Sequence, residues 1–271
     1  DRSVSRGLGD VYKRQVWDAM VDIVVEQCEQ DGLEPMSINP VVGECNDSRI
    51  NQIQKRVVGA DEVRQAFASA SEEFEEGDVG AGAGTICYGL KGGIGSASRV
   101  IRIGEKEYTI GVLVQSNFGA TEDFVLNGES VGAKILDWKQ EKDDMAASEE
   151  DKGSIMSILA TDLPLTSRQL RRILRRTGVG SARTGGYTGH GSGEVMIGFT
   201  TANRIPSGAE EELLQIQAIP EHVINRAFLA AAEAEQEAIL NSMTAAERTR
   251  GQAGELYYSL SEYLEDQDSK Q

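Results

Sequence analysis

Residues 153–173 read GSIMSILATDLPLTSRQLRRI. A Gly-Ser pair precedes the apolar run Ile155 to Ala160, and Asp162 and Pro164 close it, so the run predicts a mostly buried strand. Thr166 and Gln169 stand at capping-box spacing, in which the threonine hydroxyl and the glutamine amide satisfy two of the unpaired donors at a helix start. A helix is therefore predicted from there, docked by Leu170, Ile173 and Leu174 and carrying Arg168, Arg171, Arg172, Arg175 and Arg176 outward. Gly178 and Gly180 are expected to end it.

Strand patterns lie upstream of this segment. TICYGL (85–90), ASRVIRI (97–103), EYTIGVLVQS (107–116) and SVGAKIL (130–136) are separated by Gly-rich or acidic turns and predict a sheet. The charged stretch 138–152 reads as an exposed loop. Further back, Trp17, Met20, Val21, Val24, Val25 and Cys28 recur at helical spacing before Gly32, predicting a helix from Val16 with a buried face. A short helix is predicted over 61–71, with Val63, Ala66, Phe67 and Ala70 on one stripe. Downstream, the turn GGYTGHGSG (185–193) leads into a strand, EVMIGFTTA (194–202). A long helix follows over 221–248, and a short one over SLSEYLED (259–266). Strands and helices come in blocks rather than strict βαβ units, which predicts a layered α+β architecture. The opening DRSVSRGLGDVYKRQ (1–15) has no apolar periodicity and is expected to be a non-native segment, leaving 16–271 as a single domain.

Composition excludes several functions. The 271 residues carry 44 acidic against 27 basic side chains, a formal charge of -17. Phosphate backbones need a basic face, so nucleic acid is not expected as partner. No apolar run is long enough for a membrane span. Cys28, Cys45 and Cys87, with only His190 and His222, give neither a disulfide framework nor metal-ligand spacing, so no metal and no cofactor are expected. The cysteines suit a reducing compartment, and a cytoplasmic location is expected, with the periplasm as the alternative. The glycines at 82, 84, 92, 93 and 95 do not form a dinucleotide or P-loop fingerprint.

Three places could carry chemistry. At Gly153-Ser154 a glycine permits backbone strain beside a hydroxyl able to attack the preceding carbonyl. Cleavage there would leave Ser154 with an α-amine of pKa about 7.7–8, suited to act as a base; the alternative is an ordinary turn before a strand. Ser192 and Glu194, two residues apart, share one face of an extended segment and could hold or relay a proton, or merely form a Gly-rich hairpin. Asn117, at the end of a buried strand, could donate its amide to an oxyanion or cap a turn. The arginine-rich helix is expected to pair with acids or with another subunit.

GSIMSILATDLPLTSRQLRRI, GHGSGEVMIGFTTANRIP, CYGLKGGIGSASRV, YTIGVLVQSNFG and PVVGECND together resemble the DmpA-type P1 peptidase family, the L-aminopeptidase/D-esterase group that includes β-peptidyl aminopeptidases. The resemblance implies an αββα sandwich similar to N-terminal-nucleophile hydrolases but differently connected, matured by cleavage between Gly153 and Ser154. Residues 16–153 would then form the C-terminal part of an α chain, and 154–271 the β chain. It further implies Ser154 as nucleophile, assisted by Ser192 and Glu194, with Asn117 as the oxyanion-hole asparagine. Glu44 falls on an acid that would receive the substrate's ammonium by charge pairing. The implied substrates are small peptides, amino-acid amides or esters, and the implied assembly is a homo-oligomer of cleaved heterodimers.

Two departures qualify this. Asn46 stands where some family members carry a tyrosine that assists the oxyanion site. The family's opening segment is absent, so the 271-residue chain is expected to be poorly stable or inactive as it stands. An acyltransferase of the ornithine acetyltransferase type would place threonine at the cleavage point. A non-catalytic acidic ligand-binding or assembly protein of the same fold is the remaining alternative.

Overall fold

A computed structural model describes residues 3–142, 153–205 and 213–270, with side chains from residue 13. Its centre is a four-stranded sheet of β3 (Ile94–Ile103), β4 (Lys106–Asn117), β7 (Ser154–Thr161) and β8 (Gly193–Thr200), in that order. The pairs β3–β4 and β4–β7 are antiparallel, and β7–β8 is parallel. Short hairpins flank it: β1 (Ile86–Cys87) with β2 (Leu90–Lys91), β5 (Val125–Leu126) with β6 (Glu129–Ser130), and β9 (Thr249–Arg250) with β10 (Leu256–Tyr257).

Alternation along the strands puts Ile110, Val112, Val114, Ile155 and Leu159 on one face, and all are buried. Helix α6 (Asn225–Thr244) covers this face with Ala227, Ala230, Ala231, Ala234 and Ala238. Small residues let the helix approach closely, and Gly95 of β3 completes the fit, since a Cβ there would strike the Ala238 carbonyl. Helices α4 (Ser167–Leu174) and α5 (Thr177–Arg183) form the crossover from β7 to β8 on the same side. The predicted Thr166–Gln169 capping box is formed. The other face carries Val100, Ile158, Val195 and Phe199, all exposed. The layered α+β arrangement is as expected; the described residues supply one four-stranded sheet with a helix layer against it, besides the three two-stranded hairpins.

Several expectations are corrected. SVGAKIL is not a strand beyond Ser130, which ends β6: α3 (Gly132–Glu141) occupies it from Gly132, because Ile135 and Trp138 are buried at helical spacing and Gly132 packs against the carbonyls of Thr121 and Glu122. The helix also takes the start of the stretch expected as a loop, and 143–152 lie outside the described residues. Gly178 and Gly180 do not stop a helix; they lie inside α5, where Gly180 lets the backbone pack against Ala232 and Glu235 of α6. Helix α1 (Ser3–Gln30) starts well before Val16, within the segment that lacks periodicity. Its predicted face is only half-buried: Met20, Val21, Val24, Val25 and Cys28 are partly buried and Trp17 is exposed, because the helix packs beside α2 (Ala60–Ala68) rather than under the sheet. The final helix, α7 (Leu260–Ser269), is capped by Ser259.

Candidate active site

The end of β4 and the start of β7, the two inner strands, meet at one end of the sheet. Asn117 pairs with Ser154 in the antiparallel register, and Ser154 pairs on its other side with Gly193 of β8. Paired residues share a face, so the Asn117 carboxamide and the Ser154 hydroxyl leave the sheet on the side away from α6.

The Asn117 side chain is buried and held at both ends. Its Oδ1 accepts the Ile86 N–H at 3.0 Å, and its Nδ2 donates to the Asn46 carbonyl at 3.1 Å. A carboxamide nitrogen carries two hydrogens, so a second N–H remains to donate.

Gly153 is fixed by its surroundings. A Cβ at this position would fall on the Asn117 carbonyl oxygen and the Phe118 backbone, which only glycine avoids. The Gly153 carbonyl, the group Ser154 would attack, accepts the Gly193 N–H at 3.2 Å.

Residues 40–47 cross the sheet's outer face, bringing Gly43 against Met156. The buried Cys45 thiol lies 3.5 Å from the carbonyl oxygens of both Gln115 and Ser154, and burial pushes its pKa up to about 11. Glu44 faces Lys13 at 4.0 Å with its side chain 18% exposed. The Asn46 side chain is exposed and accepts the Ser48 N–H at 3.0 Å, so it is engaged locally.

Ser192 and Glu194 are brought together: the serine hydroxyl donates to Glu194 Oε1 at 2.9 Å. Glu194 is in register with Ile155, however, so it leaves β8 on the face opposite Ser154. Of the five arginines expected on one helix, Arg168, Arg171 and Arg172 lie in α4, while Arg175 and Arg176 stand between α4 and α5; pairing with an acid is met by two of them. Arg168 and Arg172 pair with Glu221, and Arg172 and Arg176 lie over the Phe228 ring.

Three buried lysine or glutamate side chains among the described residues were not singled out from sequence, Lys91, Lys139 and Glu235, and the first and last are fully buried. Lys91 is fully buried and donates to the carbonyls of Gly82, Thr85 and Gly92. Glu235 of α6 is fully buried beneath the sheet and accepts from Ser157 at 2.7 Å and Ser181 at 3.3 Å. Burial raises its carboxyl to about 7. A signal for Glu235 exists in AAAEAEQEAIL: of its three glutamates, only this one falls on the helix face shared with Ala231, Ala238 and Ile239. Lys91, a single lysine in a Gly-rich turn, gives no such signal.

Among the described residues no group of three or more His, Cys, Asp or Glu could hold a metal ion, and no helix is long and apolar enough to cross a membrane.

Residues 9–257 match the model of peptidase family S58. The chain is 35% identical over 244 residues to the β-peptidyl aminopeptidase BapA of Sphingosinicella xenopeptidilytica, covering 87% of this chain and 60% of that protein. Its counterpart from Sphingosinicella microcystinivorans is 35% identical over 224 residues, covering 79% and 57%. The chain thus spans about three-fifths of the length of these curated relatives. Among solved structures, the PH0078 protein of Pyrococcus horikoshii OT3 superposes with a TM-score of 0.84 at 43% identity, covering 94% of this chain and 69% of that one. The L-aminopeptidase D-Ala-esterase/amidase of Ochrobactrum anthropi, described as a variant of the Ntn hydrolase fold, gives 0.82 at 31%, covering 94% and 70%. A β-aminopeptidase from Burkholderia sp. gives 0.79 at 32%, covering 93% and 69%. With the family model covering most of its length, the chain belongs to peptidase family S58.

Proposed function

We propose that this chain is part of a self-processing serine aminopeptidase that hydrolyses amide or ester bonds next to a free N-terminal amino group. Ser154 is the nucleophile in both maturation and catalysis. The observation that carries this reading is the pairing of Ser154 with Asn117 beside a glycine that no other residue could replace without a clash.

In maturation the Ser154 Oγ attacks the Gly153 carbonyl carbon, forming a C–O bond while the C–N bond breaks and the hydroxyl proton passes to the departing nitrogen. Water then hydrolyses the ester, leaving Gly153 as a carboxylate and Ser154 with a free α-amine. The Gly193 N–H on the Gly153 carbonyl supports this step by stabilising charge as it develops on that oxygen.

In turnover the α-amine takes the Ser154 hydroxyl proton as Oγ attacks the substrate carbonyl. The second N–H of Asn117 Nδ2 donates to the oxyanion. As the intermediate collapses, the bond to the leaving amine or alcohol breaks, that group takes the proton back from the α-ammonium, and water then hydrolyses the acyl-enzyme to free acid and Ser154. We assign the base to the α-amine rather than to Glu194 because Glu194 leaves β8 on the other face. Glu44 would pair with the substrate ammonium, which gives an aminopeptidase its preference for a free N-terminus. The substrates are small peptides, amino-acid amides or esters.

Intact masses of the full-length protein and of Ser154→Ala test this. Two chains dividing at Gly153–Ser154 in the parent, one uncut chain in the variant and loss of aminoacyl-amide hydrolysis are expected. A parent that stays whole, or a variant that still cleaves, overturns it.

A further inference from the structure

We propose that Lys91 is a positioning residue that orients and polarises the Asn117 carboxamide through the Thr85–Ile86 peptide. This rests on the role given to Asn117 above. The Lys91 ammonium donates to the Thr85 carbonyl at 3.1 Å, and the N–H at the other end of that same planar peptide, that of Ile86, donates to Asn117 Oδ1 at 3.0 Å. The chain of groups therefore runs from a buried cation through one peptide unit and one carboxamide to the N–H that faces the oxyanion. Hydrogen bonds in series polarise one another, more strongly in a low-dielectric interior. Withdrawing electrons at Thr85 O makes the Ile86 N–H a better donor, and Asn117 Nδ2 a better donor in turn.

Lys91 is an expensive residue for a turn to keep. Its side chain is fully buried, and its three acceptors are neutral carbonyls, those of Gly82 and Gly92 at 2.8 Å besides Thr85. An ammonium taken out of water without a carboxylate against it is costly. Burial lowers its pKa to about 8, opposed by the charge of Asp78; on the C-terminal side the Tyr258 carbonyl accepts its backbone N–H. Pinning the loop does not require the charge. Gln115 Nε2 holds the Ala81 carbonyl at 2.6 Å, the Thr85 hydroxyl holds the Gly82 carbonyl at 2.9 Å, and the Gly92 N–H holds the Thr85 carbonyl at 3.0 Å. Removing the ammonium thus leaves the peptide tethered but less polarised.

The test uses Lys91→Met, Asn117→Ala and the double variant of the cleaved full-length enzyme, acting on an amino-acid amide. Lys91→Met is expected to lower kcat about tenfold with KM little changed, and to have no further effect in the Asn117→Ala background. Equal losses in both backgrounds would make Lys91 merely structural and overturn the proposal. A second measurement needs neither activity nor a folded Lys91 variant: the side-chain amide resonance of Asn117 in uncut Ser154→Ala, which has no α-amine to titrate opposite Asn117, identified by its absence from Asn117→Asp/Ser154→Ala. It is expected to titrate with a midpoint near pH 8. A flat resonance across that range overturns the proposal even if Ser154 proves to be the nucleophile, whereas a titrating resonance, with a parent that does not hydrolyse amino-acid amides, supports the coupling and sinks only the proposed function.

Discussion

Asn117 and Ser154 stand directly opposite each other in the β4–β7 ladder, the last residue of one strand against the first of the next. In an antiparallel pair this fixes the two side chains on one face at a Cα separation of about 4.5–5.5 Å, with no loop to set their spacing. An oxyanion donor so placed is preorganised, and removing one such donor lowers kcat by about 10²–10³-fold. Asn117→Ala in the cleaved enzyme should show that loss in steady-state hydrolysis of an amino-acid amide, with KM changed only a few-fold. An unchanged kcat would remove Asn117 from the reaction.

Gly153 has a stability consequence separable from cleavage. Because a Cβ there would collide with the Asn117 carbonyl and the Phe118 backbone, Gly153→Ala must push β7 away from β4. Overpacking of this kind costs about 1–3 kcal/mol. Comparing Ser154→Ala with Gly153→Ala/Ser154→Ala by denaturant unfolding keeps both chains uncut, and the double variant should be less stable by that amount. Equal midpoints would mean that the strand edge yields without cost.

How much of this was legible in the sequence depended on how local the cause was. The β7 strand and the capping box of α4 were readable because an apolar run and a Thr-to-Gln spacing act within a few residues. SVGAKIL was misread because its apolar residues suit either period, and what selects the helix is the burial of Ile135 and Trp138 against distant parts of the chain. The site divides the same way. Ser154, Asn117, Ser192 and Glu194 stand out in their local sequence and take their roles from the resemblance, but that Asn117 faces Ser154 while Glu194 turns away is a matter of strand register, which only the folded sheet sets. Lys91 was missed because its importance lies in acceptors brought together by the turn around it.

The cysteines should react very unequally. The Cys45 thiol is buried against the Ser154 carbonyl, and burial pushes it up to about 11, so little thiolate forms near neutral pH; Cys87 is also buried, and Cys28 is partly exposed on α1. Iodoacetamide at pH 8 should label Cys28 in the native protein at least tenfold faster than Cys45, with the difference lost in denaturant. Mass spectrometry of the digested protein reads this directly. Fast native labelling of Cys45 would mean that residues 40–47 do not stay against the sheet.

Glu235 makes stability depend on pH in a direction set by its environment. Burial raises its folded pKa to about 7 from the ordinary 4.5, so between these values the folded state holds a proton that the unfolded chain has released. Stability from this group is therefore full below about pH 4.5, falls as pH rises, and levels off at its lowest above about pH 7. The hydroxyls of Ser157 and Ser181 both donate to Oε1, so they favour the charged form, but burial outweighs them. Glutamine keeps the shape and the accepting oxygen without the charge, so Glu235→Gln should remove this pH dependence. At pH 8 it should stabilise the protein by on the order of 3 kcal/mol, and at pH 4.5 hardly at all. Denaturant unfolding of Ser154→Ala with and without Glu235→Gln, measured from pH 4.5 to pH 8.5, gives both curves on uncut chains. Parallel curves would show that Glu235 ionises as it would in water, and that the helix–sheet interface around it admits solvent.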